Sequence, residues 1–155
     1  MREVKISLND AMPVIEEKLA AGLEVLFSPN GVSMLPTFKA GRDTLVLVSP
    51  PERLGRYDVA LFRRKNGQCV IHRVVKCGES YTFLGDGQTV LEGDIGREQV
   101  VALCSAYIRD GRRVELSSLG CQMYARLWVW SLPLRRLYRW VRSLLGRVYR
   151  KFFKK

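Results

Sequence analysis

Apolar and polar residues alternate in two different ways along this chain. Residues 10–21 (DAMPVIEEKLAA) predict a short helix, with Ser7 or Asn9 as its cap and Gly22 at its stop. From Leu23 to Leu116 the pattern changes to short apolar runs separated by Gly, Pro, Asn and Asp, which is typical of strands. The runs are EVLF, TLVLV, DVALF, CVIHRVV, YTFL, QVVALCSAYI and RRVEL. Asn66-Gly67, between the third and fourth runs, indicates a hairpin.

The last part of the chain has helical periodicity. When residues after Pro133 are set at 100° each, apolar side chains occupy about a third of the circle and basic ones the opposite arc. Pro133 takes a favoured first-turn position. The apolar stripe consists of Leu134, Leu137, Tyr138, Val141, Leu144, Leu145, Val148, Tyr149, Phe152 and Phe153.

The net charge of +11 belongs to this C-terminal segment. Residues 1–122 hold 16 of the 26 Lys and Arg residues and all 15 acidic residues, so they are nearly neutral. Residues 123–155 hold the other ten basic residues and no acidic one. This asymmetry marks a boundary between a body and a basic tail.

These patterns predict a mainly β fold in a single chain of 155 residues. Residues 1–22 form an N-terminal helical segment and residues 23–116 form an antiparallel β body. Residues 117–155 form a C-terminal basic amphipathic helical tail. A chain of this length can bury a substantial core.

Several functional classes lack support in the sequence. The start of the chain does not combine a basic, an apolar and a cleavable stretch, so no secretory signal is predicted. The longest uncharged run of the tail, Leu127 to Leu134, is too short to span a membrane. The four cysteines form no CxxC pair and there is one histidine, so no metal site is predicted. Phosphate-binding motifs are missing too, and we expect no cofactor. Unpaired thiols favour a reducing, cytoplasmic location.

The tail predicts a peripheral membrane contact. An apolar face opposite a cationic face, without acids, is typical of a helix lying in the interface of an anionic membrane. Leu137, Val141 and Leu145 would insert, while the basic face, with Arg135, Arg139 and Arg142, would meet the headgroups. Two alternatives are a helix docked on the body with its basic face solvated, and a nucleic-acid contact. The second would leave the apolar stripe unused, so we expect no nucleic-acid partner.

Candidate chemistry begins with Ser33 in "GVSMLPTF", between two strand-like runs. A serine near Gly and Pro is commonly a turn residue. It becomes a nucleophile only when a base lies within hydrogen-bond reach and donors face the developing oxyanion. The single histidine, His72 in "CVIHRVV", is the natural candidate for that base. Spacing alone leaves the choice open, because a lone histidine in a strand is commonly structural.

Four segments in order resemble boxes of the signal peptidase I family. "GVSMLPTF" resembles its Gly-x-Ser-Met-x-Pro-Thr box and "GRYDVALF" its Gly-Asp-Val-Val-x-Phe strand. "VIHRVV" is similar to its Lys/His-Arg-Val-Val box and "FLGDGQTVLEGD" to its Gly-Asp-Asn-x-x-x-Asp box. The resemblance covers about residues 23–108. It implies a signal-peptidase-like β body and a serine endopeptidase acting on a peptide or protein substrate.

The resemblance also implies roles for individual residues. Ser33 matches the nucleophile, and His72 falls where family members have a Lys or His general base. Asp86 matches the first aspartate of the last box and is expected to orient His72, so that Ser33 and His72 approach to hydrogen-bond range. Either Glu92 or Asp94 matches the second. The residues expected to shape the site are Gly31, Met34 and Pro36.

The sequence departs from the family pattern in several features, and these departures allow substrates and functions other than those usual in the family. Tyr57 replaces a family glycine, and neither the family's membrane anchor nor an export signal is predicted. A leader on a precursor peptide is therefore as suitable a substrate as a secretory signal peptide. One alternative is a catalytically inactive membrane-associated binding module. Another is a self-cleaving repressor, since Ala21-Gly22 resembles the cleaved bond of that related group. No helix-turn-helix precedes that bond, and His72 stands in place of the group's lysine.

Overall fold

The computed structural model describes the backbone of residues 7–153 and the side chains of residues 7–147. Within these described residues it contains three α-helices, eight β-strands and a short 3₁₀ helix at Arg97–Gln99. The α-helices are α1 (Leu8–Ala20), α2 (Leu119–Trp130) and α3 (Leu132–Phe153). The strands are β1 (Val25–Phe27), β2 (Asp43–Val48), β3 (Val59–Arg63), β4 (Cys69–Cys77), β5 (Tyr81–Leu84), β6 (Glu92–Ile95), β7 (Val100–Arg109) and β8 (Arg112–Glu115).

Local sequence signals set both ends of α1. The Ser7 side chain accepts a hydrogen bond from the backbone N–H of Asp10 at 3.2 Å, so the helix begins at Leu8, two residues before the predicted start. At the other end Gly22 has φ of +72°. The N–H groups of Gly22 and Leu23 bond back to the carbonyls of Leu19 and Lys18 at 3.0 Å each. This pattern is a Schellman motif, which explains why the helix stops at the predicted glycine.

The strands form one antiparallel sheet in the order β1-β2-β7-β3-β4-β5-β6. One side of β7 pairs with β2, and its other side pairs first with β3 and then with β8. The β3–β4 hairpin turns at Gly67, which has φ of +84°. The β7–β8 hairpin turns at Asp110-Gly111, both with positive φ, as a two-residue turn of this type requires.

All seven predicted strands are present, and the prediction of an antiparallel body is confirmed. The sequence missed β6, where Glu92-Gly93-Asp94 lacks apolar alternation. The term mainly β needs correction for the described chain as a unit, because α1, α2 and α3 together contain about as many residues as the eight strands. The term applies only to residues 23–116.

The core that the described residues form consists of two clusters. The larger packs α1 and the Met34–Phe38 turn against β2, β3, β4 and β7, with Ile15 and Leu45 among its most deeply buried side chains. The smaller lies around Phe62 and Phe83, whose rings stack with centroids 4.3 Å apart. In the described part of the chain, no helix is both long and apolar enough to cross a membrane.

Candidate active site

Ser33 lies in a turn between β1 and β2. The neighbouring side chains of Met34 and Phe38 are buried in the larger core cluster, and the N–H of Phe38 donates to the carbonyl of Met34 at 3.0 Å. The Leu35-Pro36 peptide within this turn is cis. Ser33 itself is half-buried. The apolar anchors thus fix the backbone of the turn while the hydroxyl stays accessible.

The segment Gly85-Asp86-Gly87 packs directly against the backbone of this turn. The N–H of Gly87 donates to the carbonyl of Ser33 at 2.7 Å. A Cβ on Gly87 would lie 2.8 Å from the carbonyl oxygen of Val32, and one on Gly85 would lie 2.7 Å from that of Ser33. Only glycine permits so close an approach of two backbones.

We therefore expect Gly87→Ala to lower the free energy of unfolding by about 1–3 kcal/mol, the usual result of overpacking. The matched control is Gly93→Ala, because a Cβ there would meet its nearest neighbour at 3.9 Å. For a chain of this size the Gly87 variant should melt roughly 3–10 °C lower in calorimetry. Equal melting temperatures of the two variants would show that the turn does not depend on this approach.

His72 lies in β4, where it pairs with Ala60 of β3. Its ring is 1% exposed and packs edge-on against Phe62, with centroids 6.0 Å apart. Ser33 and His72 line the same cleft, whose volume is about 310 Å³. The apolar side chains of the cleft include Leu8, Phe27, Met34, Leu45, Val70 and Ile71, and its polar ones include Arg64, Gln68 and Gln88.

The predicted contact between nucleophile and base is not formed. Within the described residues, Ser33 Oγ makes no hydrogen bond, to His72 or to any other group. The two residues thus share a cleft without the direct bond expected from the sequence. Catalytic hydrogen bonds are often long before substrate binds and shorten in the complex.

The carboxylate beside His72 is Glu92. Its Oε1 lies 2.9 Å from Nδ1 of the buried ring, although Nδ1 has no hydrogen bond of good geometry. Arg64 holds Glu92 with two bonds, from Nε to Oε2 at 2.6 Å and from Nη2 to Oε1 at 2.5 Å. Sequence reasoning missed Arg64, since nothing in "FRRKNG" distinguishes it from a solvent-exposed arginine.

The electrostatic setting keeps the imidazole neutral. Burial lowers the pKa of His72 below its ordinary value, and this outweighs the Glu92 carboxylate, which acts to raise it. Burial acts to raise the pKa of Glu92, but its bonds with Arg64 and its contact with His72 hold that pKa below its usual range. At neutral pH the pair is therefore a neutral base beside an ionised carboxylate.

The position expected for Asp86 needs correction. Its carboxylate is fully buried and accepts two bonds from Arg73, at 2.9 and 2.7 Å, and one from the Thr37 hydroxyl. It thus ties β4 to the Ser33 turn, and the place beside the imidazole is taken by Glu92. Asp94 is exposed, with φ of +56°, and takes no part in the cleft.

The three residues expected to shape the site occupy different places. Gly31 is exposed and lines the cleft, and Met34 contributes to both the cleft and the core. Pro36 is exposed and lies outside the cleft, in a depression formed with Tyr107 and Tyr124.

In the tail, α3 exposes its apolar stripe. Leu137 is 55% exposed and Leu145 63%, and Val141 is also exposed. The stripe residues from Val148 onward lie outside the described side chains. In α2 an exposed apolar face consists of Leu119, Met123, Leu127 and Trp130.

The basic side of α3 meets the body, in contrast to the expected free cationic face. Arg135 donates to the carbonyl of Asp86 at 2.8 Å, Arg136 to that of Thr89 at 3.0 Å, and Arg139 to that of Gly87. Of the three arginines expected to meet headgroups, only Arg142 makes no hydrogen bond within the described residues. The alternative of a helix docked with its basic face solvated does not describe this arrangement either.

Comparisons with protein-family models, curated proteins and solved structures found no match. Across residues 7–153 as described, no group of three or more His, Cys, Asp or Glu side chains is arranged to hold a metal ion.

Proposed function

We propose that this protein is a serine endopeptidase resembling signal peptidase I, with Ser33 as nucleophile and His72 as general base. The observation that carries the proposal is the cleft shared by Ser33 and a buried His72 with an ionised carboxylate at Nδ1. With Nδ1 next to Glu92, Nε2 is the ring nitrogen that can accept the serine proton. The substrate is a leader or precursor peptide.

The chemistry proceeds in two balanced steps. Ser33 Oγ attacks the peptide carbonyl while its proton passes to His72 Nε2, and the proton then goes to the leaving amine as the C–N bond breaks. Water next attacks the ester and passes a proton to the same nitrogen. His72 then returns that proton to Ser33 Oγ as the bond between Oγ and the acyl carbon breaks and the acid is released. In each step the imidazolium that forms is stabilised by Glu92, 2.9 Å from Nδ1.

A peptide library of mixed sequence provides the test. After incubation with the full chain, mass spectrometry should reveal new amino termini that are missing from a parallel digest with Ser33→Ala. New termini at equal rates with both proteins would exclude Ser33 as nucleophile. A lack of cleavage with either protein would favour the inactive binding module. Cleavage of the chain itself at Ala21-Gly22, together with an uncleaved library, would favour the self-cleaving alternative.

Glu92→Gln should change both the rate and the pH profile. Burial and the Arg64 charge lower the pKa of His72, while the Glu92 carboxylate and the Asp86 charge raise it. Removing the Glu92 carboxylate takes away the larger of the two raising influences, so the pKa of His72 should fall. The acid limb of kcat/KM, which follows protonation of the free base, should therefore move to lower pH. The plateau rate should fall by roughly 10²- to 10⁴-fold, because the imidazolium loses its partner.

The control for this prediction is Asp94→Asn, an exposed carboxylate two residues away in β6. The Asp94→Asn variant should leave both the acid limb of kcat/KM and the plateau rate unchanged. If the acid limb of kcat/KM in Glu92→Gln moved to higher pH, this result would contradict the proposed role of Glu92.

We further propose that the enzyme works at an anionic membrane surface. The supporting observation is that α2 and α3 expose apolar faces, in a tail of ten basic and no acidic residues. Because Arg135, Arg136 and Arg139 contact the body, the apolar stripe opposite them points away from it. Arg142 and Arg147 remain to meet the headgroups, each contributing about 1 kcal/mol.

A further inference from the structure

The carbonyl groups of residues 86–89 receive their hydrogen bonds from the C-terminal helices. Trp128 Nε1 donates to the carbonyl of Asp86 at 3.0 Å, and Arg135 Nη1 donates to the same oxygen at 2.8 Å. Arg139 Nη2 donates to the carbonyl of Gly87, and Arg139 Nη1 donates to the Thr89 hydroxyl at 3.3 Å. A loop whose carbonyls are taken by charged donors is more firmly held than one that bonds to water.

The donors themselves are held in place. The Arg135 guanidinium lies over the Trp128 ring, 4.3 Å from its centroid. It also bonds to the Trp128 carbonyl at 3.0 Å and to the Ser131 hydroxyl at 3.2 Å. These contacts join the end of α2 to the start of α3 and fix the planar guanidinium before it meets the loop.

On its opposite side the same loop carries the Ser33 turn. Both backbone polar groups of Gly87 form hydrogen bonds. Its N–H donates to the Ser33 carbonyl at 2.7 Å, and its carbonyl accepts from Arg139. The Asp86 side chain accepts from Thr37, at the far end of the turn. The peptide group between Asp86 and Gly87 carries both the carbonyl that accepts from Arg135 and the N–H that donates to Ser33. Hydrogen bonds in series through one peptide group polarise one another, so the Arg135 bond strengthens the Gly87–Ser33 bond, while Arg139 holds the next carbonyl of the loop.

We infer that Arg139 and Arg135 are positioning residues for the site, acting on Ser33 through the backbone of Asp86 and Gly87. The inference rests on the proposed function. The part of the basic face that contains Arg135 and Arg139 thereby belongs to the active-site framework. The apolar face, together with Arg142 and Arg147, is left for a membrane. Neither arginine touches the reacting atoms, so their removal should affect the rate of reaction more than substrate binding.

The experiment compares Arg139→Ala with Arg126→Ala in the full chain. Each removes one arginine from a C-terminal helix, but of the two only Arg139 bonds to the body among the described residues, and Arg126 of α2 is exposed. Arg139→Ala should lower kcat on a cleaved library peptide by roughly 10- to 100-fold, with KM within about threefold, since small misplacement of a reacting group has this effect. Arg139→Lys, which keeps one donor, should recover most of the loss, and Arg126→Ala should match the wild type.

A second measurement is independent of activity. The amide of Gly87 should exchange its hydrogen about tenfold faster in Arg139→Ala than in Arg126→Ala, because its bond to Ser33 opens more readily. Equal exchange in the two variants would overturn the inference, even with Ser33-dependent cleavage intact. Faster exchange with unchanged kcat would also overturn it. A wild type without Ser33-dependent cleavage would instead refute the proposed function, while faster exchange would still establish the link between Arg139 and the turn.

Discussion

Ser33→Ala should reduce kcat for a cleaved peptide by about 10⁴-fold or more, because no acyl-enzyme forms without the hydroxyl. His72→Ala should cost a similar factor, and the double variant little more, since members of one catalytic unit are not additive. Steady-state kinetics on a single library peptide measure all three. Loss of the hydroxyl should barely alter stability, because within the described residues it makes no hydrogen bond.

The matched control is Ser28→Ala, which removes the exposed serine that precedes Ser33 in the sequence. That variant should keep the wild-type kcat and melting temperature. Wild-type activity in Ser33→Ala would refute the mechanism. Activity in His72→Ala within about tenfold of the wild type would assign the base to another group.

Local signals in the sequence predicted most of the fold. Ser7, Gly22 and the Asn66-Gly67 turn act on their immediate neighbours, so the ends of α1 and the β3–β4 hairpin could be located. Strand β6 is different, because its polar sequence carries no alternation. It is held by pairing with β5 and by the bond between Arg64 and Glu92, which join residues distant in sequence. Such contacts are invisible to periodicity.

The same limit applies to the candidate site. The resemblance pointed to Ser33 and His72, and the structure places them in one cleft. The resemblance assigned Asp86 to the imidazole and left the second acidic residue open between Glu92 and Asp94. Which carboxylate meets the ring depends on where arginines lie in space. Arg73 engages Asp86 and Arg64 holds Glu92 against the ring. Side chains far apart in sequence thus decide which carboxylate meets the base.

For the tail, periodicity identified both faces of α3 but misjudged the basic one. A cationic face was expected to stay in solvent or meet lipid. It instead supplies donors to the carbonyls of residues 86–89, groups that need partners wherever water is excluded. The amphipathic pattern is the same in either case, so only the structure shows which face meets the body.

Replacing Leu137, Val141 and Leu145 by Asp should abolish binding to vesicles that contain anionic phosphatidylglycerol. Each change removes an apolar side chain worth about 1.5–3 kcal/mol when buried, and adds a charge that repels the surface. The three side chains are exposed, so the variant should stay folded by circular dichroism. Flotation or sedimentation with vesicles measures the binding. Unfolding of the body would show that the stripe is core packing and would contradict the membrane proposal.

The charge-matched control combines Arg142→Gln, Ser143→Asp and Arg147→Gln, which changes the net charge by the same amount on the opposite face of α3. Both variants lose about 1 kcal/mol of attraction per unit charge, but only the first loses the apolar contribution. The first should therefore bind roughly 10³-fold more weakly than the control, and the difference should persist at high salt, where surface charge is screened. Equal binding of the two variants would mean that charge alone holds the protein, and the exposed stripe would then have no role at the membrane.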